Sequence, residues 1–140
     1  MKHAHQANAF SIPVRVYYED TDAGGVVYHA NYLNFFERCR TEWLRSLGHD
    51  QSRLARDHGI VLVVGSVTVR YLKPARLDDA LTVALEVEKL GRAHAVFRQQ
   101  VRRGDEELAT GTVDIVCVDP EKMKATAIPD WLRQKMESLQ

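Results

Sequence analysis

From about Ala30 the apolar residues Tyr32, Phe35, Phe36, Cys39, Trp43, Leu44 and Leu47 recur at three- and four-residue steps. That spacing puts them on one broad face of an α-helix running to about Leu47. The opposite face includes Glu37, Arg38, Arg40, Glu42 and Arg45, and Glu42 stands one turn from Arg38, where an ion pair is expected. Gly48 is a natural stop just past the helix end. A short second helical piece is expected over Gln51 to His58, ended by Gly59. An aromatic-rich helix cannot bury such a face alone, so the rest of the chain must supply a surface for it.

That rest is strand-like. Ile12, Val14, Val16 and Tyr18 alternate, so residues 12–19 are expected to form a first strand. The turn-forming run Asp20-Thr21-Asp22-Ala23-Gly24-Gly25 ends it. After the helices, Val61, Val63, Val67, Val69 and Tyr71 mark a second strand, and Leu81, Val83, Leu85 and Val87 a third. Two more cover roughly Arg92 to Arg103 and Glu107 to Val118. Gly91 and Gly104-Asp105 mark tight connections, which means antiparallel neighbours. Pro120 closes the last strand, and Pro129-Asp130 opens a terminal helix from Trp131 to about Leu139. The expected class is α+β, a curved antiparallel sheet wrapped around one long central helix, which is the hot-dog fold. Residues 1–10 are expected to be a flexible polar lead-in and 11–140 a single domain. Long sheet edges invite pairing with a second copy, so at least a dimer is expected.

A chain of 140 residues is long enough for one real core. Its formal net charge of zero argues against nucleic-acid binding as the main task. Cys39 and Cys117 sit in apolar-patterned stretches without metal-ligand spacing, as buried reduced thiols do. Met1 to Phe10 holds no apolar core of signal-peptide length. The strongest apolar run, Ile60 to Val69, is too short for a bilayer and is broken by Gly65, Ser66 and Thr68. Neither secretion nor a membrane span is expected; the expected location is cytoplasmic, with peripheral attachment at the inner membrane left open. His3 and His5 form an H-x-H that reads as part of a solvated tail rather than a metal site.

Chemistry concentrates between the first strand and the long helix. Asp22 is a carboxylate followed by Gly24 and Gly25, which let the backbone approach a ligand closely. The helix then starts near Tyr28 to Asn31, where free N–H groups and the helix dipole favour negative charge. Such groups polarise a carbonyl and stabilise an oxyanion. A carboxylate facing a polarised carbonyl is the minimum equipment for ester or thioester hydrolysis, as general base or as nucleophile. By spacing alone the same run reads first as an Asp-rich turn, with Asn31 as a helix N-cap. The chain has no G-x-x-x-x-G-K-[ST], G-x-S-x-G or H-E-x-x-H motif, and no metal or redox cofactor is implied.

The run Glu19-Asp20-Thr21-Asp22-Ala23-Gly24-Gly25-Val26-Val27-Tyr28-His29-Ala30-Asn31-Tyr32 resembles the signature of the 4-hydroxybenzoyl-CoA thioesterase family. It is most similar to the YbgC branch, acyl-CoA thioesterases associated with the Tol-Pal system. The resemblance continues through Tyr71-Leu72-Lys73-Pro74-Ala75-Arg76-Leu77-Asp78-Asp79 and Val116-Cys117-Val118-Asp119-Pro120 and covers nearly the whole chain. Arg92, Ala93 and His94 are less typical of the family.

The resemblance implies an acyl-CoA thioesterase acting on short-chain or small aromatic acyl groups. It implies Asp22 as the catalytic carboxylate, with Asp20 in a supporting role, and the His29 backbone N–H as the group polarising the carbonyl. Gly25, Val26, Tyr28 and Tyr32 would complete the substrate-binding surface. Coenzyme A carries several phosphate charges, for which Lys73, Arg76, Arg92 and Arg98 are the candidate partners. The site would lie at a subunit interface in a homotetramer built as a dimer of dimers. Coenzyme A would enter as part of the substrate, with acyl carrier protein as an alternative carrier. The rival reading is a binding or scaffold module of lipid metabolism or the Tol-Pal system with little turnover.

Overall fold

The computed structural model describes residues 9–140. His3 and His5 therefore lie outside the described residues. The long helix, α1, spans Asn31–Ser46 and stops as expected, with Gly48 at a left-handed φ of +87°. The short piece is a helix Gln51–Arg53, α2, that runs into a π-helical turn Leu54–His58 and ends on left-handed Gly59. The strands are β1 Phe10–Arg15, β2 Val61–Tyr71, β3 Ala80–Leu90, β4 His94–Arg103, β5 Glu106–Asp119 and the short β6 Lys124–Ala125. The terminal helix, α3, spans Asp130–Glu137.

Every strand pairing is antiparallel, in the order β1-β3-β4-β5-β2, with β6 added to β5. The sheet is thus open, with β1 and β2 as its two long edges. Its inner face presents Leu81, Val83, Leu85, Phe97, Val101, Val113 and Ile115, all buried. Against it α1 buries Tyr32, Phe35, Phe36, Cys39, Trp43 and Leu44. Each of the large side chains contributes about 1.5–3 kcal/mol on leaving water. This is the hot-dog arrangement expected from the helix period. Gln99 is the polar exception on the inner face. It is fully buried, and its amide donates to the Phe36 carbonyl (3.0 Å) while accepting from Arg40 (2.9 Å). Both of its polar ends are therefore satisfied.

The structure corrects several local expectations. The first strand begins at Phe10, inside the stretch read as lead-in, and ends at Arg15 rather than at residue 19. The chain turns because the Tyr17 N–H is taken by the Asp20 carboxylate (2.8 Å), which closes a 3-10 turn over Tyr18–Asp20. Glu42 pairs with Arg45 (2.7 Å) rather than Arg38, whose guanidinium lies over the Phe35 ring instead. Cys39 and Cys117 are buried free thiols, and burial pushes Cys39 up to about 12, which removes it as a nucleophile.

The helix comes very near the sheet backbone at Gly111 of β5. A Cβ there would lie 2.5 Å from Cε2 and 2.9 Å from Cζ of Phe36. Gly111→Ala is therefore expected to cost about 1–3 kcal/mol through overpacking. The measurement is the urea midpoint, and Gly111→Ala combined with Phe36→Leu is expected to recover part of the loss.

A charged network ties the β4–β5 turn to the segment after β2. Arg103 meets Glu106 (2.6 Å) and Asp79 (2.7 Å), and Lys73 meets Glu106 (2.9 Å). Hydrogen bonds from Lys73 and then from Arg103 hold the Glu106 carboxyl below its usual range. Burial raises Asp79, but the Arg76 N–H and Arg103 outweigh it and leave it lowered. A lowered folded-state value stabilises the fold above the unfolded carboxylate value, about 4. That stabilisation fades as pH falls through the folded-state value. Glu106→Gln is expected to lower Tm at neutral pH, and the gap to wild type is expected to close as pH falls through the lowered folded-state value of Glu106.

Candidate active site

The loop between β1 and α1 hangs from Asp20. This carboxylate is only 4% exposed and is met by three elements. Its Oδ2 accepts the Tyr17 N–H, its Oδ1 accepts the Asn31 side-chain amide (2.6 Å), and its carbonyl accepts the Tyr28 N–H (2.9 Å). A carboxylate buried that deeply needs such donors to be tolerated. Asn31 is not the helix N-cap. Ala30 takes that place, and Asn31 is the first helical residue, reaching back to Asp20.

Between these anchors the chain makes a tight excursion. The Asp22 N–H donates to the Val26 carbonyl (2.9 Å) and the Gly25 N–H to the Asp22 carbonyl (3.0 Å). Closing that turn needs φ of +78° at Gly25, a conformation glycine takes without strain. Val26 bridges to Arg76, and the Val27 N–H donates to the Ala75 carbonyl (2.8 Å), so the loop is fastened to the segment after β2. Asp22 itself is exposed. One carboxylate oxygen accepts the Gly24 N–H (2.8 Å), and the other takes no protein hydrogen bond among the described residues.

Asp22 and His29 line one open cleft of about 330 Å³ together with Val26, Tyr32, Tyr71 and Lys73. The Tyr28 carbonyl accepts the Asn31 N–H (2.8 Å), and the His29 carbonyl accepts the Tyr71 hydroxyl (2.8 Å). The His29 N–H donates to no protein acceptor among the described residues. The residues lining the cleft thus include one with an uncommitted carboxylate oxygen, Asp22, and one with an uncommitted backbone donor just before a helix start, His29. No group of three or more His, Cys, Asp or Glu side chains able to hold a metal occurs among the described residues.

The other candidate residues separate. Tyr32 is buried, lines the cleft, and accepts the Ala75 N–H on its hydroxyl (3.1 Å). Tyr28 is half-exposed and stacks on the His29 ring (4.5 Å) without lining the cleft. Lys73 reaches the cleft, but its charge is matched by Glu106. Arg76 is exposed beside the loop and forms no ion pair among the described residues. Arg92 lies in the β3–β4 turn, at the end of the sheet away from Asp22 within one chain, and Arg98 stands mid-strand in β4. Tyr71 was not singled out as a site residue by the sequence. Its only signal was its place at the head of the second motif, at the end of the alternating run of β2.

Comparison with known proteins is consistent along the chain. The thioesterase-like superfamily matches residues 16–136. The acyl-CoA thioesterase YbgC of Haemophilus influenzae is 47% identical over 132 residues, 94% of this chain and 97% of its own length. The acyl-CoA thioester hydrolase YbgC of Escherichia coli is 48% identical over 121 residues, 86% of this chain and 90% of its own. The crystal structure of a probable thioesterase from Bartonella henselae superposes with a TM-score of 0.82 at 35% identity, covering 86% of this chain and 99% of that one. The chain belongs to the thioesterase-like superfamily, in its YbgC branch, and is a thioester hydrolase of the acyl-CoA thioesterase type.

Proposed function

We propose that hydrolysis takes place in the cleft shared by Asp22 and His29. The observation that carries this reading is that Asp22, which keeps one carboxylate oxygen free, and His29, whose backbone N–H has no protein acceptor among the described residues, line the same cleft just before α1. A thioester carbonyl entering there places its oxygen on the His29 N–H, which holds the negative charge that develops during attack. Asp22 then acts by one of two routes. As general base it takes a proton from water as the oxygen of that water bonds to the carbonyl carbon. As nucleophile it forms a mixed anhydride, which water then splits. In both, the carbon–sulfur bond breaks and coenzyme A leaves as a thiolate. A thiol with a pKa of about 8.5 is a good leaving group near neutral pH, so no strong general acid is required. The open cleft of about 330 Å³ suits short-chain or small aromatic acyl groups. Arg76, exposed and without an ion pair, is the basic residue best placed for the coenzyme A phosphates.

The working unit in this reading is a dimer, which assembles further into the tetramer that the resemblance implies. β2 is an unpaired edge, and Val63, Val64 and Val67 on it are exposed, as is Leu33 of α1. Val64 is 50% exposed, in an apolar groove shared with Phe36 and Val113. A row of unpaired backbone groups beside such a groove is matched by the same edge of a second copy. The proposed place of work is the cytoplasm, where acyl-CoA is met, with contact to the Tol-Pal system at the inner membrane. No helix among the described residues is long and apolar enough to cross a membrane.

Asp22→Asn is expected to keep Tm and oligomeric mass while lowering kcat by about 10²–10⁴-fold. The assay is free-thiol release from a panel of acyl-CoA chain lengths, with an acyl-carrier-protein thioester included. Wild-type-like turnover in that variant removes Asp22 from the chemistry. Tight wild-type binding without thiol release favours the module reading. The combined change Val64→Asp and Val67→Asp is expected to shift the protein to a monomer by light scattering and to lower turnover. An unchanged mass rules this edge out as the interface.

A further inference from the structure

We infer that Tyr71 is a positioning residue for the reaction, holding the His29 backbone in the orientation that receives the oxyanion. The inference rests on the reading of His29 given above and adds a residue to it. A peptide N–H lies in one rigid plane with the carbonyl before it and points the opposite way. The plane ahead of His29 is fixed from within the helix start, because the Tyr28 carbonyl accepts the Asn31 N–H (2.8 Å). The plane after His29 is fixed from outside it. The His29 carbonyl accepts the Tyr71 hydroxyl at 2.8 Å, from a strand residue 42 positions further along the chain. His29 is thus clamped on both sides, and its own N–H is left without a protein acceptor among the described residues.

Packing does not explain the hydroxyl. Tyr71 is 49% exposed, and its ring meets Tyr32 (5.3 Å) and His29 (6.3 Å) edge-on, contacts that a phenylalanine ring also makes. What the hydroxyl adds is the bond to the His29 carbonyl, and that bond does two things. It removes one rotation by which the donor could drift from the oxyanion. It also caps the His29 carbonyl, whose negative end, one residue from the donor, would otherwise oppose charge developing nearby. Because β2 also forms the sheet edge, the clamp links the helix start to the strand through one hydrogen bond.

The test is Tyr71→Phe, assayed with benzoyl-CoA and butyryl-CoA as probes. The expected result is a fall in kcat of about tenfold, less than the loss of a whole oxyanion donor, with KM nearly unchanged. The second readout is the infrared carbonyl band of ¹³C-carbonyl benzoyl-CoA bound to Asp22→Asn. That band is expected to shift to lower frequency on binding, and adding Tyr71→Phe is expected to return part of the shift. A merely structural hydroxyl would lower Tm and leave both the band and kcat in place, which overturns the inference. A rise in KM with kcat unchanged also overturns it, making Tyr71 a substrate contact. If wild type releases no thiol from either probe, the reading of the site falls and this inference with it. If wild type is active and Tyr71→Phe matches it, only the role of Tyr71 falls.

Discussion

The aromatic face of α1 must be buried, and the chain has one surface that can bury it. Everything else in the structure is arranged by that demand. β3, β4 and β5 form the centre of the sheet because their inward residues are continuous enough to cover Phe35, Phe36 and Trp43. Trp43 packs edge-on against Phe97, and Phe36 presses onto the bare backbone of Gly111. With the helix seated in that groove, its N-terminus emerges beside the end of β2 at Tyr71. The loop from β1 is delivered to the same place. The helix dipole, the Asp22 carboxylate and the end of β2 therefore meet as a consequence of core packing rather than by a separate device.

Two carboxylates two residues apart differ sharply in burial and bonding. Asp20 is buried and accepts two side-chain-directed bonds, with a third on its carbonyl, so every element of the loop depends on it. Asp22 is exposed and accepts one bond from Gly24. A carboxylate that is 4% exposed and bonded on both oxygens is closed to water and substrate, whereas an exposed one with a free oxygen is open to both. Removing Asp20 would unfasten the loop and leave the Asn31 amide and the Tyr17 N–H without partners. The burial difference is a physical reason to propose Asp22 rather than Asp20 for the chemistry, where the family signature distinguishes them only by position.

Much of this was legible before any coordinates. The three-and-four spacing from Tyr32 to Leu47 marked α1 to within a residue, because a broad apolar face leaves little freedom in where a helix runs. Gly48 and Gly59 marked the ends because left-handed positions select glycine. The strand order was not legible, since alternation says which face a residue takes but not which strand lies beside it. The alternation through Tyr18 outran the real strand because a contact with Asp20, invisible to periodicity, turned the chain at Tyr17. Side-chain partners were the hardest to read. Glu42 stood one turn from Arg38 and three residues from Arg45, and geometry chose the latter. Lys73 was a candidate phosphate partner by its place in the motif, and its ion pair with Glu106, 33 residues away, was not legible there. The bond from Tyr71 to His29 spans 42 residues and no local pattern contains it.

The surfaces that the fold leaves unfinished are the ones nearest the chemistry. The core side of the sheet is closed by α1, and α3 seals one end by burying Leu132 and Met136. The β2 side is different. There the valines of the edge strand, Leu33 of α1 and half of the Tyr71 ring remain exposed. A monomer would pay for this with solvated apolar area and an unpaired edge, two features that stable monomers avoid together. Pairing the edges of two copies would cover the valines and build the outer wall of the cleft from the second chain. The same contact would raise the strength of the His29 donor, because excluding water lowers the local dielectric around the oxyanion. On this view subunit association and catalysis are one problem. Tyr71 stands on that unpaired edge, so a second copy seated there would also stiffen the clamp proposed for His29.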